Sequence, residues 1–201
     1  MIVYGASGHG KVIIEILESI HEPQIQVWDD ADKPDIWQYP VQKPVPAGEP
    51  VPGKMVISIG VNATRKKVAQ RFAHAQFGTA VHATAVVSGR ATVGEGTVVM
   101  ANATVNADTR IGKHCIVNTS ASIDHDCVLE DYVHISPNAT LSGDVQVGEG
   151  THIGSGVSII QGIRIGKWCT IGAGTVVIKD IPDYATAVGC PARIVKIKEA
   201  Q

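Results

Sequence analysis

From Val81 onward an aliphatic residue recurs at every sixth position: Val81, Val87, Val93, Val99, Val105, Ile111, Val117, Ile123, Leu129, Ile135, Leu141, Val147, Ile153, Ile159, Ile165, Ile171 and Val177. Seventeen consecutive positions hold this register without an insertion. With the aliphatic residue counted as the first of each hexad, the fifth is mostly small (Ala85, Ala91, Thr97, Ala103, Thr109, Cys115). The second is often glycine, as at Gly94, Gly112, Gly148, Gly154, Gly166 and Gly172. A period of six fits neither an amphipathic helix nor the simple alternation of a half-buried strand. It predicts short strands meeting at turns, each sending one aliphatic and one small side chain inward. That is the hexapeptide repeat of a left-handed parallel β-helix, assigned here to 79–180, with a tail over 181–201. Three strands make one coil in this form, so residues three hexads apart stack directly, about 4.8 Å apart.

Before Val81 the pattern changes. Ile2–Tyr4 reads as a buried strand, and the Gly5–Gly10 turn opens a helix running to about Ile20. A second strand at Ile25–Trp28 ends in Asp29 and Asp30; a third at Met55–Ile59 is followed by Gly60 and a helix over Ala63–Phe77. Six of the ten prolines fall between Pro34 and Pro52, which predicts an irregular connection. Strand–helix–strand with a glycine-rich first turn is a small α/β, Rossmann-like nucleotide-binding unit, placed at 1–78. The glycines are spaced G-x-x-G-x-G rather than in the dinucleotide pattern, but amides at a helix N-terminus still suit a diphosphate. Asp29 and Asp30 are placed to meet ribose or base groups.

Composition narrows the function. The 201 residues carry 17 Lys+Arg against 19 Asp+Glu, a net charge of −2, which argues against a nucleic-acid binder or a polybasic membrane protein. No apolar run is long enough for a membrane span, and no secretory signal opens the chain, so a cytoplasmic protein is expected. The four cysteines form no CxxC pair. Cys115, Cys127 and Cys169 fall on the small inward position and read as buried structural thiols. Only nine residues are aromatic (Trp 3, Tyr 4, Phe 2), so the core must be aliphatic and narrow.

The column arithmetic also sorts the histidines. His125 lies near a corner within Asp124-His125-Asp126, where a carboxylate can orient the ring as a general base. Gly143 lies one coil above it, offering room for an acyl group and a free N–H for an oxyanion. His134 and His152 form a separate column, about half a coil from His125. One chain alone would not bring them together, whereas trimerisation through flat faces would let His134 approach a neighbour's His125. His21, His74, His82 and His114 read as surface or structural.

The segments GASGHGKV, WDD, SIGVNATRKKV, NTSASIDHDC and GCPARIVK occur in this order along the chain. Together they closely resemble the bacterial nucleotide-sugar acetyltransferases of the PglD/NeuD type. The resemblance covers essentially the whole chain and is nearest to enzymes acting on UDP-4-amino sugars of bacillosamine synthesis. It implies a homotrimer with active sites between subunits and acetyl-CoA as co-substrate, with no metal. His125 matches the family's catalytic base, and Asp126 stands where the best-known members have Glu. Ser7, Gly8 and His9 match the turn that holds the nucleotide-sugar, and Asp29, Asp30 and Gly60 match its nucleoside contacts. His134 and Gly143 match positions near the acetyl thioester; Ser155 and Ala173 match positions lining the coenzyme A arm.

The reaction implied is direct acetyl transfer to a sugar 4-amino group. The RKK run and the WDD end favour a nucleotide-sugar. O-acetylation of a sialic acid and N-acetylation of a GDP- or dTDP-linked sugar are the nearest alternatives. A zinc hydratase of the γ-carbonic-anhydrase kind, using His114, His125 and His134, is a remote one because it leaves the N-terminal unit without a role.

Overall fold

The structure is a computed structural model that describes residues 1–199. The N-terminal unit is a parallel sheet in the order β3-β2-β1-β4. Its strands are β1 (Ile2–Tyr4), β2 (Gln26–Trp28), β3 (Val41–Gln42) and β4 (Met55–Ile57). Helix α1 (Gly8–Ser19) follows the glycine-rich turn, and α2 (Asn62–Arg71) follows β4. Two local expectations are corrected. The proline-rich stretch contributes β3, which pairs in parallel with β2 at Val27–Val41. The second helix ends at Arg71 rather than Phe77, and Phe77 instead bridges back to Met55.

The hexads form seventeen two-residue strands, from β5 (Ala80–Val81) to β21 (Val176–Val177). They are dealt in rotation onto three parallel sheets, every pairing joining residues 18 apart, as in Ile116↔His134 and Ser122↔Thr140. The result is a three-sided parallel β-helix. The first and fifth hexad positions fill its bore: Val117, Ile135, Ala139, Leu141 and Val157 are fully buried. Each buried aliphatic contributes roughly 1.5–3 kcal/mol. The inward Thr97, Thr109 and Thr151 are satisfied by the next coil, Thr97 Oγ1 donating to Gly112 O at 2.8 Å and accepting from the Cys115 N–H at 2.9 Å, whereas the Thr175 hydroxyl has no partner among the described residues. The buried thiols are inert: desolvation pushes Cys115 up to about 12 and Cys127 to about 11.

The turns obey a rule finer than the hexad. Every fourth position from 96 to 174 has positive φ, between 53° and 71°. On two corners this position holds, Ser120 apart, only residues that favour the left-handed region: Asn102, Asn138, Gly156 and Gly174 with Ser120 on one, Asp108, Asp126, Asp144 and Gly162 on the other. The third corner, beside the N-terminal unit, carries Gly96, His114, Tyr132, Gly150 and Trp168.

Coil stacking also runs past the expected end of the repeat. Ile181 bridges to Ile165, and β22 (Ala185–Val188) pairs in parallel with Thr170 and Ile171 at an offset of 16 rather than 18. A two-residue deletion near Pro182 shifts the register while keeping the coil. β23 (Arg193–Ile197) then turns back antiparallel to β22.

The N-terminal unit sits on one face of the prism. Ile13, Ile14, Ile16 and Leu17 of α1 join one buried cluster with Ala80, Val98, Met100 and Ile116 of the lowest coils. At the adjacent corner Arg65, only 1% exposed, donates to the carbonyls of His114 (2.7 Å), Tyr132 (2.8 Å) and Ile59 (2.9 Å). Asn62 donates to Gly150 O at 2.8 Å, and Lys66 pairs with Glu149. These contacts fix the two units as one body.

Candidate active site

Two constellations emerge, on different sides of the prism. The first is the corner between β12 (Ser122–Ile123) and β13 (Val128–Leu129). His125 Nδ1–H donates to Asp126 Oδ2 at 2.7 Å, which leaves Nε2 as the free acceptor. Asp126 reaches the ring despite its short side chain because it occupies the positive-φ turn position, at φ 60°. The His125 side chain is 60% exposed. The bond from Asp126, and then the charge of Asp124, hold its pKa above the ordinary imidazole value. Asp124 is itself pinned by the Asn106 amide at 2.9 Å and the His125 N–H at 2.8 Å.

Gly143 lies one coil above, as the column arithmetic requires, but the space it leaves is filled differently from the expectation. A Cβ on Gly143 would fall 2.6 Å from His125 Cε1 and 2.7 Å from Nε2. The missing side chain therefore admits the imidazole itself, laid flat against the glycine backbone, rather than open room for an acyl group. The Gly143 N–H has no hydrogen-bond partner among the described residues.

The second constellation is a cleft of about 630 Å³ between the N-terminal unit and the upper coils, lined by Ser7, Gly60, His134, His152, Trp168 and Lys198, among others. Ser7 is the N-cap of α1, yet its hydroxyl makes no capping bond and no acid occupies the first turn. The helix N-terminus is thus open to an anion. Gly8 has nothing within 4 Å of a built Cβ, and Gly10 is required because a Cβ there would strike Gly5 O at 2.4 Å.

His134, on β14 (His134–Ile135), is 8% exposed and stacks on His152 at 4.7 Å. Its Nε2 accepts from the Asn118 amide at 3.1 Å while Nδ1–H points to Gly60 O at 3.3 Å, a pair of partners that defines the neutral tautomer. Burial, then the nearby His152 and Arg65, lower its pKa to about 3. His9 stands with its ring 6.5 Å from that of His134, and desolvation lowers it to about 4. Sequence reasoning missed Asn118, Ser136 (on His152 Nε2 at 2.8 Å) and Arg65, because each acts through tertiary contact.

The structure gives other expected site residues additional roles. Asp29 accepts from the Ala6 and Ala31 N–H groups, both at 2.8 Å, and so locks the glycine-rich turn to the end of β2. Asp30 is bonded by Tyr4 and Arg71; these outweigh the upward push of its burial and keep its carboxyl below the usual range. The RKK run faces inward: Arg65 holds the domain interface and Lys66 pairs with Glu149, so only Lys67 is exposed. Ser155 and Ala173 are exposed and stacked on the corner after the His134 sheet, a different corner from His125. His114 is buried between Phe77 and Tyr132, at 4.5 and 5.3 Å. Among the described residues of the single chain no group of three His, Cys, Asp or Glu is placed to hold a metal. No helix among them is long and apolar enough to cross a membrane.

Comparison with known proteins agrees with this architecture. Residues 1–72 match the PglD N-terminal domain, and 144–179 match the bacterial transferase hexapeptide repeat. No curated protein sequence matches the chain. Among solved structures, the acetyltransferase domain of PglB from Neisseria gonorrhoeae FA1090 is 36% identical, with a TM-score of 0.93 over 96% of this chain and 98% of that one. The same domain is also known in complex with acetyl coenzyme A. PerB from Caulobacter crescentus, in complex with CoA and GDP-perosamine, is 36% identical, with a TM-score of 0.89 over 97% of this chain and 96% of that one. WeeI from Acinetobacter baumannii AYE is 28% identical over 96% of this chain and 98% of that one, with a TM-score of 0.87. With this identity over nearly the full length of both chains, the protein belongs to the hexapeptide-repeat acetyltransferases that carry a PglD-type N-terminal domain.

Proposed function

We propose that the protein transfers the acetyl group of acetyl-CoA to the amine of a nucleotide-linked amino-deoxy sugar, as a homotrimer. The observation that carries this reading is the His125–Asp126 pair laid against Gly143, a base with an oriented tautomer beside a free backbone N–H. The open end of α1 with Ser7, Gly8 and His9 suits a diphosphate, and Gly60 forms the opposite lip. The His125 corner and the Ser155–Ala173 corner belong to different edges of one prism. A coenzyme A arm contacting both therefore requires a neighbouring copy, whose His125 faces this chain's His134 and Asn118.

In the proposed reaction the neutral sugar amine attacks the thioester carbonyl. His125 Nε2 accepts the proton that the nitrogen loses as the new C–N bond forms. Asp126 stabilises the resulting imidazolium, and the Gly143 N–H donates to the tetrahedral oxyanion. Collapse breaks the C–S bond, and His125 returns the proton to the departing sulfur, releasing coenzyme A as its thiol.

The UDP-4-amino sugar of the bacillosamine type is the substrate implied by the sequence resemblance. A GDP-linked 4-amino sugar is the second reading, favoured by the 36% identity to PerB, which was solved with GDP-perosamine. A mass-spectrometric screen of UDP-, GDP- and dTDP-linked 4-amino sugars and of sialic acid, each with acetyl-CoA, tests both. Turnover of sialic acid alone would refute the amine reading. Light scattering tests the trimer, and a monodisperse active monomer would refute the shared site.

A further inference from the structure

The corner beside the N-terminal unit differs from the other two by carrying rings at a backbone position that bulky side chains disfavour. His114, Tyr132, Trp168 and Tyr184 all have φ between 53° and 61°. The same hydrogen bond repeats down this column: His114 N to Glu95 O, Tyr132 N to Lys113 O, Trp168 N to Glu149 O and Tyr184 N to Lys167 O. Tyr184 is thus the next rung after Trp168.

Two of these rings have a structural explanation. His114 and Tyr132 stack on each other, His114 meets Phe77 edge-on, and Arg65 bonds the carbonyls of both, so they form the docking seam. Trp168 lies one coil beyond Gly150, where the seam ends. Its ring rests on Gly150, whose missing Cβ would lie 2.4 Å from it, with the Lys66 ammonium 5.3 Å from its centre. It remains partly exposed and walls the cleft that contains Ser7, Gly60, His134 and His152. On its other side it borders a hollow of about 480 Å³ with Ala63, Tyr184 and Lys198. A bulky residue held at a disfavoured φ, half-covered and facing a cleft, is the kind of outlier from which function is inferred.

We propose that Trp168 is a specificity-determining residue, the aromatic platform on which the pyranosyl ring of the nucleotide-sugar lies. This rests on the function proposed above. Of the three positions matched to nucleoside contacts, the cleft walled by Trp168 includes only Gly60, at its lip beside Ser7, and neither Asp29 nor Asp30 at the end of β2. With the diphosphate at the end of α1, the group reaching Trp168 is on the side away from the end of β2, and that group is the sugar. An amino-deoxy pyranose has an apolar C–H face and a polar rim. The indole and Ala63 complement the first, while Ser7, His152 and Lys198 supply donors and acceptors for the second. The ring contacts substrate without touching the reacting atoms, so it acts on sugar binding and not on the chemical step.

Two measurements test this. In steady-state kinetics Trp168→Ala should raise KM for the nucleotide-amino-sugar about tenfold, leaving KM for acetyl-CoA and kcat within about twofold, while Trp168→Phe stays near wild type. In fluorescence, the wild-type spectrum minus that of Trp168→Phe isolates Trp168 from Trp28 and Trp37. That difference should change on saturation with the nucleotide-amino-sugar and stay unchanged with the nucleoside diphosphate alone. If Trp168→Ala does not fold, the fluorescence difference decides alone. An unmoved Trp168 signal, an unaltered KM in folded Trp168→Ala, or an equal response to the nucleoside diphosphate would overturn the platform, while the acetyl-transfer reading would stand. Absence of wild-type turnover on every nucleotide-amino-sugar would instead refute that reading, before any substitution at Trp168.

Discussion

Replacing Gly143 by alanine adds a single methyl group, and the structure says where it must go. The new Cβ would lie 2.6 Å from His125 Cε1, 2.7 Å from Nε2 and 3.2 Å from Nδ1. Carbon contacts settle near 3.5–4.0 Å, so the imidazole must retreat by roughly 1 Å. It is free to do so, because its side chain is 60% exposed and its single ring partner is Asp126. Gly143 is not among the positive-φ glycines, so alanine suits the backbone and stability should change by less than about 1 kcal/mol. Alanine also keeps the N–H proposed as oxyanion donor. A misplacement of about 1 Å in a catalytic group costs on the order of 10²-fold in rate. Gly143→Ala should therefore lose about 10²-fold in kcat with a nearly unchanged melting temperature, measured as chromatographic release of coenzyme A at saturating substrates. In a His125→Ala background the same substitution should cost almost nothing further, since the two act as one unit. Wild-type kcat in Gly143→Ala, or full additivity in the double variant, would refute the idea that the glycine exists to seat the histidine.

Three further outcomes follow from the same geometry. His125 must be neutral to accept a proton and its pKa is raised by Asp126, so kcat/KM should fall as pH drops through a value above 6.5; Asp126→Asn should move that limb to lower pH and reduce kcat. His9 and His114, near 4, and His134, near 3, stay neutral when folded while the unfolded chain protonates near 6.5. Stability should thus decline from pH 6.5 downward, by about 2 kcal/mol per histidine at pH 5, and flat urea midpoints between pH 7 and 5 would contradict it. Of the four cysteines only Cys190 is exposed, so native protein should yield one fast-reacting thiol per chain and the remaining three only on unfolding.

How far the sequence could be read depends on whether a feature repeats. The bore of the β-helix, the buried cysteines and the stacking of His125 under Gly143 were legible because a fixed period converts sequence distance into spatial distance. The left-handed fourth position was equally periodic, and Asn102, Asp108, Ser120 and Asn138 carried its signal. Tyr132 and Trp168 mask it on one corner. What failed was non-periodic. Arg65 looks like part of a basic surface run, yet it is 1% exposed and bonded to carbonyls from both units. Asn118 reaches His134 only because consecutive coils bring 116–118 beside 134. The continuation past Pro182 was hidden because the offset shortens to 16 residues and breaks the hexad count while the strands still pair.

With His125 as general base for acetyl transfer from acetyl-CoA to the amine of a nucleotide-linked sugar, the most direct test is the mass of the product. Purified protein incubated with acetyl-CoA and a UDP- or GDP-linked 4-amino sugar should yield that nucleotide-sugar heavier by one acetyl group, borne on nitrogen. His125→Ala should slow its formation by about 10²–10⁴-fold. No acetylated nucleotide-sugar from the wild-type protein, or equal yield from His125→Ala, would contradict the account.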